Sequence, residues 1–363
     1  GSGTKSQRLV AVKRLRHEYA KQEAYIELLA DEARLTAGLH HANVVAVHDV
    51  GSEGGCYVIG DYVEGENLER VLIRAGSAGH PRFVLPVLVD ALNGLHAVHD
   101  AVSEDDDVPL RIVHQAPCAR HILVGVDGIG RLTDFSQACA RGIAPSRIRS
   151  ERLRVAYMAP EQALHPDRVD HRADLFIVGI TLWEALTGER LFAAETEERT
   201  FQNLLHRRIQ RPSEVGMRPP RAFDALCMRA LERDPNARFG SALEMARELR
   251  DVALNQALYA LPGEIGAWVK SVMGLELVER RRKFGDMDTQ QISLAGIQPA
   301  HRVDPRREDP YLSGRIHGGA VGASAPADGA VSSEQRPGLF PIQRDAEPRG
   351  TERTGSGSHR TAL

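Results

Sequence analysis

The spacing of apolar residues changes character once along this chain, and that change limits the folds open to it. Before about residue 66, short runs of β-branched and aliphatic residues predict strands at 9–15, 44–50 and 56–62, with one helical stretch at 19–39. Beyond that point, apolar residues recur mostly at helical spacing as far as residue 282, with short strands predicted only at 122–126 and 130–133. Elements grouped in this way predict an α+β fold, in which a small lobe of sheet plus one helix precedes a larger, mostly helical lobe.

Composition excludes several classes of protein. With 363 residues and 42% hydrophobic content, the chain can bury a sizeable core. A formal net charge of -3 gives no reason to expect nucleic acid as a partner, and no apolar run is long enough to predict a membrane span. The four cysteines form no C-x-x-C pair, so neither a disulfide framework nor a zinc site is indicated. We therefore expect a cytoplasmic protein.

The chain divides into four predicted parts. Residues 1–65 make up the small lobe and the segment leading out of it, and residues 66–254 make up the helical lobe. Within 255–284 a further helix is predicted, with an apolar face that would pack on the preceding lobe or bind a partner. Residues 285–363 are rich in Gly, Pro, Ser and Arg and poor in aromatics, so we expect a disordered tail.

Short motifs in a fixed order carry the chemistry. A Val-Ala-Val-Lys run ends at Lys13, and Glu32 follows inside the predicted first helix. Asp134 opens an Asp-Phe-Ser triplet, and an Ala-Pro-Glu triplet further on ends at Glu161. Each motif alone is a weak signal, because a lysine at the end of a strand is usually a solvated surface residue. Their order and spacing taken together are highly specific.

In these motifs, residues 9–254 resemble the bacterial serine/threonine protein kinase family. The resemblance implies a two-lobed kinase fold, ATP and Mg²⁺ as cofactors, and a protein as substrate or partner. It also implies that Lys13 contacts the nucleotide phosphates, that Glu32 holds Lys13, and that Asp134 binds magnesium. The remaining implied positions are nucleotide contacts at Ala11, Asp61, Val63 and Leu123, an open back pocket behind Gly60, and structural roles for His114, Phe135, Glu161, Asp174 and Arg238.

The segment that would be the catalytic loop departs from the family pattern. Ala116 stands at the position of the base, and a methyl group can neither accept a proton nor orient a hydroxyl. Gln115 replaces the arginine that would pair with a phosphorylated loop, and His121 replaces an asparagine that would ligate a second magnesium. Only nine residues separate Gly3 from Lys13, too few for a glycine-rich loop and the strand after it, so we expect the chain to begin beyond them.

Three functions stay open at this point. The first is a catalytically impaired pseudokinase that acts through nucleotide or partner binding, favoured because base, metal ligand and phosphate loop are lost together. The alternative is an active or weakly active ATP-dependent serine/threonine kinase that uses Lys13, Glu32 and Asp134. The third is thiol or metal chemistry at Cys118 or His121.

Overall fold

The computed structural model describes residues 9–15, 17, 19–51, 56–76, 80–103, 107–140 and 155–286, with side chains described as far as residue 283. Apart from residues 285 and 286, the predicted tail lies outside the described residues. Within the described part of the chain, no helix combines the length and apolar character needed to cross a membrane.

The small lobe is an antiparallel sheet covered by one helix. Its described elements are β1 (Val10–Arg14), α1 (Glu23–Ala37), β2 (Val47–Gly51) and β3 (Tyr57–Asp61). The strands run in the order β1-β3-β2, and Lys13 lies opposite Val58 in the register of β1 and β3. Leu29 and Ala33 of α1 pack on Val58, which gives this lobe a small core of its own.

The larger lobe combines a second antiparallel sheet with most of the helices. Its described elements are β4 (Gly65–Asn67), α2 (Leu68–Ala75), α3 (Pro81–His99), β5 (Ile122–Gly125), β6 (Gly130–Leu132), α4 (Pro160–Leu164), α5 (Arg172–Thr187), α6 (Glu197–His206), α7 (Asp224–Ala230), α8 (Ala242–Asn255) and α9 (Pro262–Asp286). The sheet order is β4-β5-β6. The predicted two-lobed α+β architecture is therefore confirmed.

Helix α5 forms the centre of the larger lobe. Its residues 173–187 are all buried, as expected for a helix that is apolar around most of its circumference. The indole Nε1–H of Trp183 donates to the Gln210 carbonyl at 2.9 Å, so the one polar atom of that buried ring is paired. The helix ends where Gly188 adopts a left-handed conformation with φ of 76°, a backbone geometry that glycine adopts at low cost.

Helix α9 packs on the larger lobe rather than standing free. The Trp268 ring stacks on Phe83 of α3 with ring centroids 5.2 Å apart. At Gly266 the helix approaches the turn between β5 and β6 so closely that a Cβ there would lie 2.3 Å from the Val126 carbonyl oxygen. Of the two roles open to this helix from its sequence, the structure shows packing on the lobe.

Some local predictions were wrong. The first helix, predicted from residue 19, begins at Glu23. The second strand, predicted from residue 44, begins at Val47, because Val45 instead donates to the Leu132 carbonyl at 2.9 Å and so ties the two lobes together. At Gly60 the Ala46 carbonyl oxygen lies 2.8 Å from where a Cβ would stand, and the open back pocket behind this residue stays a prediction.

Candidate functional site

Three charged side chains from both lobes meet at one point. Lys13 lies on β1, Glu32 lies on α1, and Asp134 follows β6. The Lys13 Nζ donates to the two Glu32 carboxylate oxygens at 2.8 and 2.7 Å and to Asp134 Oδ1 at 2.8 Å. The Lys13 side chain is 44% exposed while that of Glu32 is 8% exposed, so the ammonium reaches solvent and its partner does not. The structure thus joins three residues that the sequence motifs singled out separately.

The electrostatics of this cluster keep Lys13 and Asp134 charged, whereas burial raises the pKa of Glu32. Burial acts to lower the pKa of Lys13, but the Glu32 and Asp134 carboxylates outweigh it and raise that pKa. Burial acts to raise the pKa of Asp134, but the positive charge of Lys13 outweighs it and holds that pKa well below its usual range. At neutral pH the site therefore presents an ammonium beside a carboxylate.

A hydrogen bond links Ala116 to His121, the residues that stand where the kinase family has its base and an asparagine. Ala116 is buried and offers only its methyl group. Its carbonyl oxygen lies 2.7 Å from His121 Nδ1, so that nitrogen carries a proton and donates it. The other ring nitrogen, Nε2, lies 3.4 Å from Asp134 Oδ2. The loop therefore brings an imidazole to the carboxylate that the Lys13 ammonium also contacts.

A buried carboxylate holds the start of this loop. Asp174, at the beginning of α5, accepts from the backbone N–H of His114 at 2.9 Å and of Gln115 at 2.6 Å. Its Oδ2 also lies 2.8 Å from His99 Nε2. The His114 ring lies 4.5 Å from the Phe135 ring, centroid to centroid, and burial lowers the pKa of His114 to about 4. His114 is therefore a neutral packing group.

Gln115 takes part in a buried amide network that sequence reasoning missed. The Gln115 side-chain Nε2 donates to Cys139 Sγ at 2.8 Å, and the Gln115 backbone carbonyl oxygen accepts from Gln162 Nε2 at 2.9 Å. Gln162 Oε1 in turn accepts from the Ala159 N–H at 2.7 Å. The backbone of Gln115 is left-handed, with φ of 66°, a costly conformation that the surrounding contacts maintain. No spacing in the sequence relates the two glutamines.

Glu161 and Arg238 form a buried ion pair. Arg238 Nη1 and Nη2 donate to the two Glu161 oxygens at 2.6 and 2.8 Å. Its guanidinium lies 4.7 Å from the centre of the Phe176 ring and also donates to backbone carbonyls, including that of Glu232 at 2.7 Å. Bidentate geometry and full use of the donors are what make a buried pair tolerable. This pair fixes α4 against the end of the larger lobe.

The residues predicted to contact adenine lie on both sheets. Ala11 pairs with Gly60 in the register of β1 and β3, and Leu123 is a partly buried residue of β5. Asp61 ends β3, and its Oδ1 lies 2.6 Å from His48 Nε2. Val63 lies two residues further along, in the segment that joins the lobes. Their contacts with a nucleotide stay a prediction.

Two arginines of α9 reach the joining segment, which sequence reasoning also missed. Arg280 donates to the Gly65 carbonyl at 2.8 Å and forms an ion pair with Glu66. Arg281 Nη2 donates to Glu64 Oε2 at 2.9 Å. The acidic residues near 64–66 and the basic run at 280–282 were the available signal, but their charge complementarity did not indicate which segments would meet.

Asp134 and His121 differ in how well they suit magnesium. Mg²⁺ prefers oxygen ligands, and a carboxylate such as Asp134 fits that preference. An imidazole nitrogen suits softer first-row metals. Among the residues that the structure describes, no group of three or more His, Cys, Asp or Glu side chains is arranged to hold a metal ion. The protein donors thus fit magnesium at Asp134 and not at His121.

A small antiparallel sheet with one helix, a larger helical lobe, and a lysine, glutamate and aspartate cluster joining them define a protein-kinase-like fold. The family model described as the protein kinase domain matches residues 2–249, and the chain belongs to that family.

Several curated relatives of this chain are bacterial kinases. The tyrosine-protein kinase MasK of Myxococcus xanthus is 30% identical over 341 residues, covering 92% of this chain and 51% of MasK. The serine/threonine-protein kinase PknL of Mycobacterium tuberculosis is 31% identical over 262 residues, covering 71% of this chain and 62% of PknL. PksC of Streptomyces coelicolor is 32% identical over 257 residues, covering 68% of this chain and 44% of PksC. The chain therefore spans about half the length of the relatives it matches.

Proposed function

We propose that this chain is a pseudokinase, which binds a nucleotide between its lobes and transfers phosphoryl groups slowly or not at all. The observation that carries the proposal is an asymmetry within one site. The Lys13, Glu32 and Asp134 side chains are in contact at 2.7–2.8 Å, whereas the base position holds the buried methyl group of Ala116.

The binding half of the proposal rests on the charged cluster. A lysine held by a buried glutamate is oriented toward the cleft, where its ammonium would contact nucleotide phosphates. Ala11 and Leu123 would enclose the adenine ring, and the backbone at Asp61 and Val63 would bind its edge. ATP, with a divalent cation at Asp134, is the nucleotide we propose.

The proposed loss of phosphoryl transfer rests on the groups that the loop at 114–121 lacks. A positioned general base contributes about 10²–10⁴ in rate, and Ala116 supplies none of that. Phosphoryl transfer depends almost entirely on positioning and electrostatic stabilisation, so removal of the base and of an oxygen ligand at His121 acts on the same step. The remaining contacts of Asp174, Glu161 and Arg238 maintain a kinase shape, which we propose serves to bind a protein partner.

A binding and transfer assay on the full chain tests the proposal. We expect ATP with a divalent cation to raise the melting temperature of the native chain and of a Lys270→Met control on the exposed face of α9. Lys13→Met should abolish the shift. Radiolabel from γ-labelled ATP should stay at background on a generic protein substrate. Robust phosphoryl transfer that Lys13→Met abolishes would refute the proposed loss of transfer. A melting temperature that ATP leaves unchanged in the native chain would refute the proposed nucleotide binding.

The second candidate function is a weakly active protein kinase. The intact contact between Lys13, Glu32 and Asp134 favours it, because these residues would still position ATP while water or another group accepted the substrate proton. The transfer assay separates it from the first. Thiol chemistry at Cys118 finds less support, since burial raises the pKa of that thiol to about 11 and the thiolate is the reactive form.

A further inference from the structure

His121, which stands where the kinase family has an asparagine, has a fixed orientation. His121 ends a short 3₁₀ helix at 119–121, and its backbone N–H and carbonyl are bonded to Cys118 and Thr133 at 2.8 and 3.0 Å. Its Nδ1–H donates to the Ala116 carbonyl at 2.7 Å. A hydrogen bond from one ring nitrogen to a backbone carbonyl is how proteins usually fix a metal-binding imidazole, because it leaves the lone pair on the other nitrogen.

His121 Nε2 and one oxygen of Asp134 face each other. Asp134 uses Oδ1 to accept from the Lys13 ammonium at 2.8 Å, and its Oδ2 lies 3.4 Å from Nε2. That separation exceeds the 2.7–2.9 Å typical of a charge-assisted N–H···O⁻ bond. Two ligands of one ion, each bound at about 2.0–2.2 Å, stand roughly 3.0–3.5 Å apart in octahedral or tetrahedral geometry. The pair therefore has the spacing of two ligands to one cation.

We propose that His121 and Asp134 make this cleft select Mn²⁺ ahead of Mg²⁺ for its complex with nucleotide. The proposal rests on the proposed nucleotide binding, since two protein ligands need phosphate oxygens and water to complete a coordination shell. An imidazole nitrogen in place of an amide oxygen favours Mn²⁺, which accepts nitrogen and oxygen ligands alike, over Mg²⁺, which dehydrates reluctantly and binds oxygen. The substitution that removes a magnesium ligand thus supplies a ligand for another metal.

A spectroscopic measurement tests the coordination directly. The full chain is loaded with Mn²⁺ and a non-hydrolysable ATP analogue, and pulsed electron paramagnetic resonance is used to detect ¹⁴N coupling from a bound imidazole. We expect the coupling in the native chain and in His206→Asn, which alters an exposed histidine at the end of α6. His121→Asn and His121→Gln should lose it. Circular dichroism and melting temperature establish that each variant is folded.

Nucleotide affinity supplies the second readout. We expect the ratio of the analogue's Kd in Mg²⁺ to its Kd in Mn²⁺ to fall about tenfold in His121→Asn, a change of about 1.4 kcal/mol. Nucleotide binding without ¹⁴N coupling, with a ratio unchanged in His121→Asn, would overturn the metal proposal and leave the proposed function standing. Equal affinity in EDTA would also overturn it, since His121 would then act without a metal. No binding by the native chain under any condition would refute both.

Discussion

The contact between α9 and the turn that joins β5 to β6 leads to a sharp test of how the larger lobe ends. A Cβ at Gly266 would lie 2.3 Å from the Val126 carbonyl oxygen, whereas a Cβ at Gly274 of the same helix would have nothing within 4 Å. The turn and the helix also lie close together at Gly128, whose φ is 79°. A Cβ there would lie 1.8 Å from the Pro262 carbonyl oxygen. We predict that Gly266→Ala destabilises the protein and that Gly274→Ala does not.

The expected magnitude follows from two opposing terms. An alanine at Gly266 forces the helix and the turn apart by roughly 1 Å, and overpacking of this kind typically costs about 1–3 kcal/mol. Replacing glycine by alanine inside a helix returns about 0.5–1 kcal/mol. The net destabilisation should therefore be about 1 kcal/mol, within a range of about 0–2.5 kcal/mol. Gly274→Ala has only the second term and should stabilise the fold by a few tenths to 1 kcal/mol.

Urea denaturation of the full chain and of the two variants measures these differences. The variants should move the unfolding midpoint in opposite directions, with Gly266→Ala the lower. If Gly266→Ala were as stable as Gly274→Ala, the helix would not pack on the turn as described, and its apolar face would be available to a partner. Equal destabilisation by both variants would mean that this helix does not tolerate alanine for some reason other than contact with Val126.

Three other measurements test further contacts. Glu161→Gln leaves the buried Arg238 guanidinium without its counter-charge and should cost about 3–5 kcal/mol in urea denaturation; unchanged stability would contradict the pair. Burial raises the pKa of Asp90 to about 6 from 3.8, so its contribution to stability is present below pH 3.8 and is lost as pH rises through 6. Asp90→Asn should therefore stabilise the protein by about 1–3 kcal/mol at pH 7 and reduce the fall in unfolding free energy between pH 4 and pH 7. A fall equal to that of the native chain would be evidence against a raised pKa of Asp90. Iodoacetamide at pH 8 should alkylate the partly buried Cys118 about a hundredfold more slowly in the folded chain than in urea, because burial raises the pKa of its thiol to about 11. Equal rates would count against the raised pKa.

The two-lobed architecture could be predicted because it depends on local patterns. Strand and helix periodicities change near residue 66, and the observed elements follow that change closely. One error falls where a contact between the lobes competes with local propensity. Val45 would fit a strand, but its N–H is used by the Leu132 carbonyl across the lobe boundary.

The members of the site could be named from the sequence, but their arrangement could not. Lys13 and Asp134 are 121 residues apart, and only their position in the family pattern related them. The amide network of Gln115 and the arginines of α9 had no such pattern, so the sequence offered nothing to link them. Long-range polar contacts of this kind depend on how packed elements bring distant atoms within hydrogen-bond distance.

Residue identities alone determined that this chain has kinase-like groups at Lys13, Glu32 and Asp134 and lacks a base at Ala116. They determined also that an imidazole stands where the family has an amide. Only the tertiary structure decided that the imidazole donates to the Ala116 carbonyl and turns its other nitrogen toward Asp134. The physical reason is that a residue type limits which chemistry is possible at a position, whereas distances and tautomers are set by the packing of loops and lobes around it.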